Sequence, residues 1–170
     1  MRGVTYVVLG AVATAAALGL TGCARTPAAG PGFTLVADSL GDIPMHPDAL
    51  KLDNLAQAYD RSMATRWTTV TDMEPGFFVE LDFARTRKVA ALTLDSSPSP
   101  NDFPRNFGVE TCDAKGNWDE AGAYGENATK NGVTTVTFNP PRAVRKVLLT
   151  VSQSAPYWWS IYEIKVKYAD

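Results

Sequence analysis

Phe77-Phe78-Val79-Glu80-Leu81-Asp82-Phe83 sets apolar residues at 77, 79, 81 and 83 and places Phe78, Glu80 and Asp82 between them. A period of two sends successive side chains to opposite faces of an extended chain, so the stretch predicts a strand with one buried face. Ile164, Val166 and Tyr168 alternate with Lys165 and Lys167 in the same way. Outward from these, runs rich in β-branched and aromatic residues recur at 65–70, 77–83, 89–94, 107–112, 133–138, 144–151 and 159–168, separated by Gly, Pro, Asn and Asp. Only Asp53 to Met63 carries the pattern of a helical turn, and no long stretch has a 3.6-residue apolar period. The spacing predicts an all-β fold in one domain, a β-sandwich or a jelly-roll.

The first residues read differently. Met1-Arg2 leads into an apolar run from Val4 to Leu20, shorter and richer in Ala and Gly than a bilayer span of about 20 residues, and small residues follow it directly. This is the pattern of a cleaved signal peptide over residues 1–22. Leu20-Thr21-Gly22-Cys23 resembles the bacterial lipobox, which implies that the Cys23 thiol receives lipid and becomes the N-terminus. Several acyl chains, each buried CH₂ contributing about 0.8 kcal/mol, make such anchoring durable. Cleavage leaves 148 of the 170 residues, enough for one core. Residues 23–50, dominated by Ala, Pro, Gly and Asp, read as the lipidated Cys and a flexible tether, and 51–170 as the sandwich. Within the tether, Phe33-Thr34-Leu35-Val36 has a strand composition, but Pro44 and Pro47 follow and the segment is read as irregular. With Cys23 given to lipid, Cys112 is left without a partner and no disulfide is expected.

Sixteen basic against 18 acidic residues give a formal net charge of −2, which offers no basic surface for nucleic acid or anionic lipid. Catalytic constellations are missing: there is no Gly-x-Ser-x-Gly, no phosphate loop and no His-Glu-x-x-His, and Cys112 lies within a predicted strand. Glu80 and Asp82 read as solvated positions on a half-buried strand rather than as a carboxylate pair. The chain is therefore expected to be no enzyme.

Three segments stand out in order. The first is Ala58-Tyr59-Asp60-Arg61-Ser62-Met63-Ala64-Thr65-Arg66-Trp67. The second runs from Gly76 to Leu94 and on through Asp102-Phe103-Pro104-Arg105-Asn106-Phe107-Gly108-Val109-Glu110. The third is Trp158-Trp159-Ser160-Ile161-Tyr162-Glu163-Ile164. Together they resemble the coagulation factor 5/8 type C, or discoidin, family, whose fold is a galactose-binding-like jelly-roll β-sandwich and which includes bacterial carbohydrate-binding modules. The resemblance covers roughly Leu52 to the C-terminus. It implies a structural calcium ion, for which about 6 to 8 oxygens are required. By position these are the carboxylates of Asp60 and Glu163, the hydroxyl and carbonyl of Thr65, and the carbonyls of Gln57, Ser62 and Tyr162. Arg61 and Ser62 depart from the family's commonest loop, and Arg61 strains the turn if it needs positive φ. Read from the residues alone, Asp60 equally caps a turn and Glu163 equally pairs with Arg66 or Arg105.

For ligand contact, the loop from Ser96 to Arg105 offers Asn101, Asp102 and Arg105 on a backbone stiffened by Pro98, Pro100 and Pro104. Trp67, Trp118 and Trp159 fall on strands or at their ends and are expected in the core, whereas Tyr157 and Trp158 precede the last strand, where an exposed ring suits a sugar face. Arg105 has a structural alternative, pairing with a carboxylate. Galactose-specific relatives use a His, an Arg and an Asn on neighbouring loops. The only histidine, His46, lies in the N-terminal segment, so that set is not matched. The expectation is a bacterial envelope lipoprotein, membrane-anchored and extracytoplasmic, whose β-sandwich recognises carbohydrate. The alternative is a protein-interaction module of an envelope complex with no sugar affinity.

Overall fold

The structure, a computed structural model, describes Cys23, residues 32–36 and residues 55–169. Its strands are β1 (Gly32–Val36), β2 (Trp67–Thr68), β3 (Phe78–Asp95), β4 (Phe107–Cys112), β5 (Trp118–Tyr124), β6 (Thr129–Lys130), β7 (Val133–Val151), β8 (Ser160–Ile161) and β9 (Glu163–Tyr168). One 3₁₀ turn, Leu55–Ala58, occupies part of the expected helical stretch.

Two of the expected pairs of strands are single long ones. Residues 77–83 and 89–94 join as β3, and 133–138 and 144–151 join as β7, paired antiparallel from Phe78 opposite Thr150 to Asp95 opposite Val133. The register shifts between Asp82 and Arg87 and again between Val89 and Ala91, irregularities of the β-bulge kind that break the pairing locally. The pair runs through a seven-stranded sheet ordered β1-β3-β7-β4-β5, in which β9 also pairs with β3 and β6 with β7. β2 and β8 form a separate ribbon. This is the expected jelly-roll sandwich. Val79, Leu81 and Phe83 from β3 meet Val109, Val147, Leu149 and Trp159 in its core, and Trp67 packs edge-on to Trp159 with centroids 6.0 Å apart.

Trp67 and Trp159 are buried as expected, while Trp118 on β5 is only half-buried. Glu80 and Asp82, expected to be solvated, are half-buried and ion-paired. Lys146 Nζ lies 2.9 Å from Glu80 Oε1 and 3.4 Å from Asp82 Oδ2, and Arg145 Nε lies 3.1 Å from Asp82 Oδ1.

The N-terminal segment corrects two expectations. Gly32–Val36 is not irregular tether but runs parallel to β3, Gly32 opposite Phe78 and Val36 opposite Asp82, and satisfies a ladder edge that β3 would otherwise leave open. Cys112 does have a partner: it is disulfide-bonded to Cys23, with Cα atoms 6.3 Å apart and a sequence separation of 89. A loop of that length contributes about 4 to 5 kcal/mol by restricting the unfolded chain. The signal peptide and His46 lie outside the described residues.

Candidate functional site

The first part is the loop that follows the 3₁₀ turn, from Tyr59 to Arg66. After the 3₁₀ turn the chain doubles back through Arg61, whose φ of 63° is the left-handed conformation expected to strain this turn. Asp60 holds it together: Oδ1 accepts the Ser62 N–H at 2.8 Å and Oδ2 accepts the Thr65 hydroxyl at 2.6 Å. Thr65 Oγ1 also lies 3.3 Å from the Ser62 carbonyl oxygen. Glu163, at the start of β9, reaches into this loop and accepts backbone N–H bonds from Arg61 and Ser62. It is 7% exposed, and its Oε1 is buried without a hydrogen-bond partner. Burial raises its pKa above the ordinary carboxylate value, the Asp60 charge adds to the rise, and the N–H bonds from Arg61 and Ser62 oppose it.

Two carboxylates facing each other, one with an orphaned buried oxygen, are a donor set that a cation completes. The residues therefore fit the calcium ion that the resemblance implied. Arg66 and Arg105, considered as partners for Glu163, reach other carboxylates: Asp102 at 3.4 Å and Glu126 at 3.5 Å.

The loop between β3 and β4 is the second part. Ser97 N–H bonds to Asp95 Oδ1 at 3.0 Å, Ser99 N–H to the Ser96 carbonyl at 2.8 Å and Asp102 N–H to the Ser99 carbonyl at 2.9 Å, giving successive turns in which Pro98 and Pro100 preset φ. Asp102, expected to contact ligand, is half-buried and also bonded within the protein. Its Oδ2 accepts the Ser160 hydroxyl at 2.7 Å and faces Arg66, and its carbonyl accepts the Ser160 N–H at 3.0 Å, so it ties the loop to β8. Arg66 Nη1 further bonds Ser99 Oγ at 2.8 Å and Tyr162 Oη at 3.3 Å, and Ser99 and Tyr162 hydroxyls lie 2.9 Å apart. The Tyr162 side chain therefore joins this loop to the strand end that carries Glu163.

The third part is the turn between β7 and β8. Tyr157 and Trp158 are each 39% exposed, and both are held from behind. Met73 N–H bonds to the Ala155 and Tyr157 carbonyls and Thr69 N–H to the Trp159 carbonyl. The Arg66 guanidinium stands 6.0 Å from the Trp158 ring centre. Arg105, its side chain 14% exposed, lies 3.8 Å from the Phe103 ring centre and 5.1 Å from that of Tyr157, and its Nη2 donates to the Asn101 carbonyl at 3.1 Å. Asn101 itself is exposed. The five expected contact residues are thus gathered at one end of the sandwich, with Asn101, Tyr157 and Trp158 outward and Asp102 and Arg105 as their supports.

Beside them opens a cleft of about 510 Å³ lined by Asn106, Phe107, Ala123, Tyr124, Gly125, Ser152 and Gln153. It adjoins the Arg105–Glu126 pair, since Asn106 follows Arg105 and Gly125 precedes Glu126. The Tyr124 ring stacks on Phe107 with centroids 5.4 Å apart, and Asn106 Nδ2 donates to Gln153 Oε1. The polar run Ser152-Gln153-Ser154 was the available sequence signal for this wall; the opposite wall belongs to β5, which has no strand-like composition. A cleft of similar size at the far end of β4, between Thr111, Asp119, Glu120 and Arg142, has no aromatic lining.

A jelly-roll with an apical loop cluster of this kind is a galactose-binding-like β-sandwich. Residues 46–164 match the F5/8 type C domain, and the chain belongs to that family. Among similar solved structures, the family 32 carbohydrate-binding module of Clostridium perfringens NanJ, in complex with galactose, is 24% identical with a TM-score of 0.53, over 65% of this chain and 82% of that one. A second C. perfringens module of family 32, in complex with GalNAc-β-1,3-galactose, is 20% identical with a TM-score of 0.54, over 71% and 88%. Chitosan-binding module 1 from a chitosanase/glucanase of Paenibacillus sp. IK-5 is 20% identical with a TM-score of 0.52, over 66% and 83%. These likenesses are of fold. No curated protein matches the sequence.

Proposed function

We propose that this chain is a non-catalytic carbohydrate-binding module of the bacterial envelope, stabilised by a calcium ion at Gln57, Asp60, Ser62, Thr65, Tyr162 and Glu163, and carried to the membrane by lipid on Cys23. The observation that carries the sugar reading is the pair of consecutive exposed rings, Tyr157 and Trp158, each beside an arginine that is itself fixed, next to a polar cleft. The apolar C–H face of a pyranose stacks on such a ring while hydroxyls are met by fixed polar groups. Both arginines face carboxylates, which suits a ligand without strong charge. The sugar-bound family 32 modules of the same fold add support. An open, shallow face of this kind predicts a Kd of roughly micromolar to millimolar. Calcium, once bound, supplies a charge bridge between the Asp60 loop and β9.

A glycan array on chain 23–170, with the disulfide retained, tests this reading. A hit that is abolished in Trp158→Ala and weakened in Tyr157→Ala, in protein melting within a few degrees of wild type, is the expected result. One observation favours the protein-contact alternative: Val70 is 66% exposed with φ of 50°, next to Thr69 on the same edge as Tyr157 and Trp158. A folded protein with no glycan hit on the array moves the assignment to that alternative.

A further inference from the structure

A sulfur atom in cysteine forms one bond to its own Cβ and one more. The proposed lipid thioether and the observed disulfide both require that second bond of Cys23, so no single molecule carries both. We propose that Cys23 and Cys112 form a sorting pair: the chain matures either into a lipid-bearing form with a free Cys112 thiol or into a lipid-free form closed by the Cys23–Cys112 disulfide. The inference rests on the lipid reading of Cys23 for its first arm and on the structure for its second.

The chemistry of each arm balances. In the first, the Cys23 thiolate attacks the glycerol carbon of a diacylglycerol phospholipid; the carbon–oxygen bond to the phosphate breaks, the phosphate headgroup leaves with the electron pair, and the thiol proton goes to base. In the second, the two thiols lose two protons and two electrons to a disulfide-bearing thiol oxidoreductase, which is reduced to its dithiol.

Burial sets when the choice is made. Cys112 is 0% exposed and Cys23 is 6% exposed, whereas thiol–disulfide exchange needs an attacking thiolate to reach a sulfur. Once the sandwich has closed around the pair, the disulfide is out of reach, so the competition for Cys23 is decided before folding is complete. β4, which carries Cys112, lies inside the larger sheet between β7 and β5. Slow folding of that sheet therefore favours lipid, and an oxidising compartment favours the disulfide.

The test expresses the full chain in a bacterial host fed an alkyne fatty acid, with thiols trapped by acid and then tagged with maleimide-polyethylene glycol, for wild type, Cys112→Ala and Cys23→Ser. The expected wild type divides into an acyl-labelled fraction that takes one tag at Cys112 and an unlabelled fraction that takes none until reduced. Cys112→Ala moves the whole population into the acyl-labelled fraction, and a permeant reductant during growth does the same to wild type. Acyl label in wild type and Cys112→Ala alike, with Cys112 always taggable, overturns the competition and leaves the lipid reading intact. No acyl label in any variant overturns the lipid reading, and the sorting pair with it.

Discussion

At the scale of the single residue, Glu163 decides whether the Asp60 loop is a metal site. Its raised pKa means that the folded protein without metal holds a proton there more tightly than the unfolded chain does. The contribution of this group to stability is therefore full below the unfolded value and is lost as pH rises through the folded one. At neutral pH, without metal, Glu163 is a penalty that a cation removes. The expected outcome is that the calcium-induced rise in melting temperature narrows as pH is lowered from neutral into the acid range, because the proton competes for the same oxygens. Glu163→Gln removes the charge and keeps the shape. The expected variant melts no lower than metal-free wild type and shows no response to calcium; a calcium response equal to wild type would place the ion elsewhere.

At the scale of the element, the β3–β4 loop depends on the turn that precedes β7. Gly132, at φ of 78°, gives its carbonyl to the Ser96 N–H at 2.8 Å, and the Ser96 hydroxyl goes on to the Ser160 carbonyl. A Cβ at Gly132 would stand 2.9 Å from Ser97 Cα and 3.0 Å from Ser96 O, both backbone atoms that cannot swing aside. Overpacking and positive φ together predict that Gly132→Ala costs about 2 to 4 kcal/mol in urea unfolding. Because the displaced backbone is the base of the loop that carries Asn101 and Arg105, sugar affinity is expected to fall as well. A variant that loses stability at full affinity would detach that loop from recognition. β5 belongs to this scale too. Trp118-Asp119-Glu120-Ala121-Gly122-Ala123-Tyr124 has no β-branched residue and two exposed acids, yet it is a strand because β4 offers it an antiparallel ladder from Phe107 opposite Tyr124 to Cys112 opposite Trp118.

At the scale of the whole molecule, one observed clamp and one proposed clamp join parts of the sequence that lie far apart in the chain. The disulfide joins Cys23 to the end of β4, and the proposed cation would join Asp60 to the start of β9, both strands belonging to the same seven-stranded sheet. Cys112→Ala is expected to lose about 4 to 5 kcal/mol, which in a domain of this size lowers the melting temperature by roughly 10 to 20 °C. Chelation of the proposed calcium ion is expected to add its own decrement nearly independently, since the Asp60–Glu163 loop and the Cys23–Cys112 pair share no residue. A drop on chelation that disappears once the disulfide is removed would show them to be one cooperative device.

The sequence by itself determined the class of this protein. Period-two alternation in Phe77 to Phe83 and Ile164 to Tyr168 fixes which faces are buried, and that requires only local geometry. The three ordered segments carried the family, and the turn chemistry of 96–105 with the unstrandlike Tyr157-Trp158 pair marked the end where the loops gather. What only the tertiary structure decided were relations between residues far apart in the chain. Cys23 meets Cys112 because β4 lies where the N-terminal segment arrives; Asp102 ties its loop to β8 because Ser160 and Arg66 come to it; and Asn106, Tyr124 and Gln153 form a cleft because β5 pairs with β4. Each depends on register and on which strand neighbours which, quantities set by the packing of the whole sandwich and carried by no single stretch of residues.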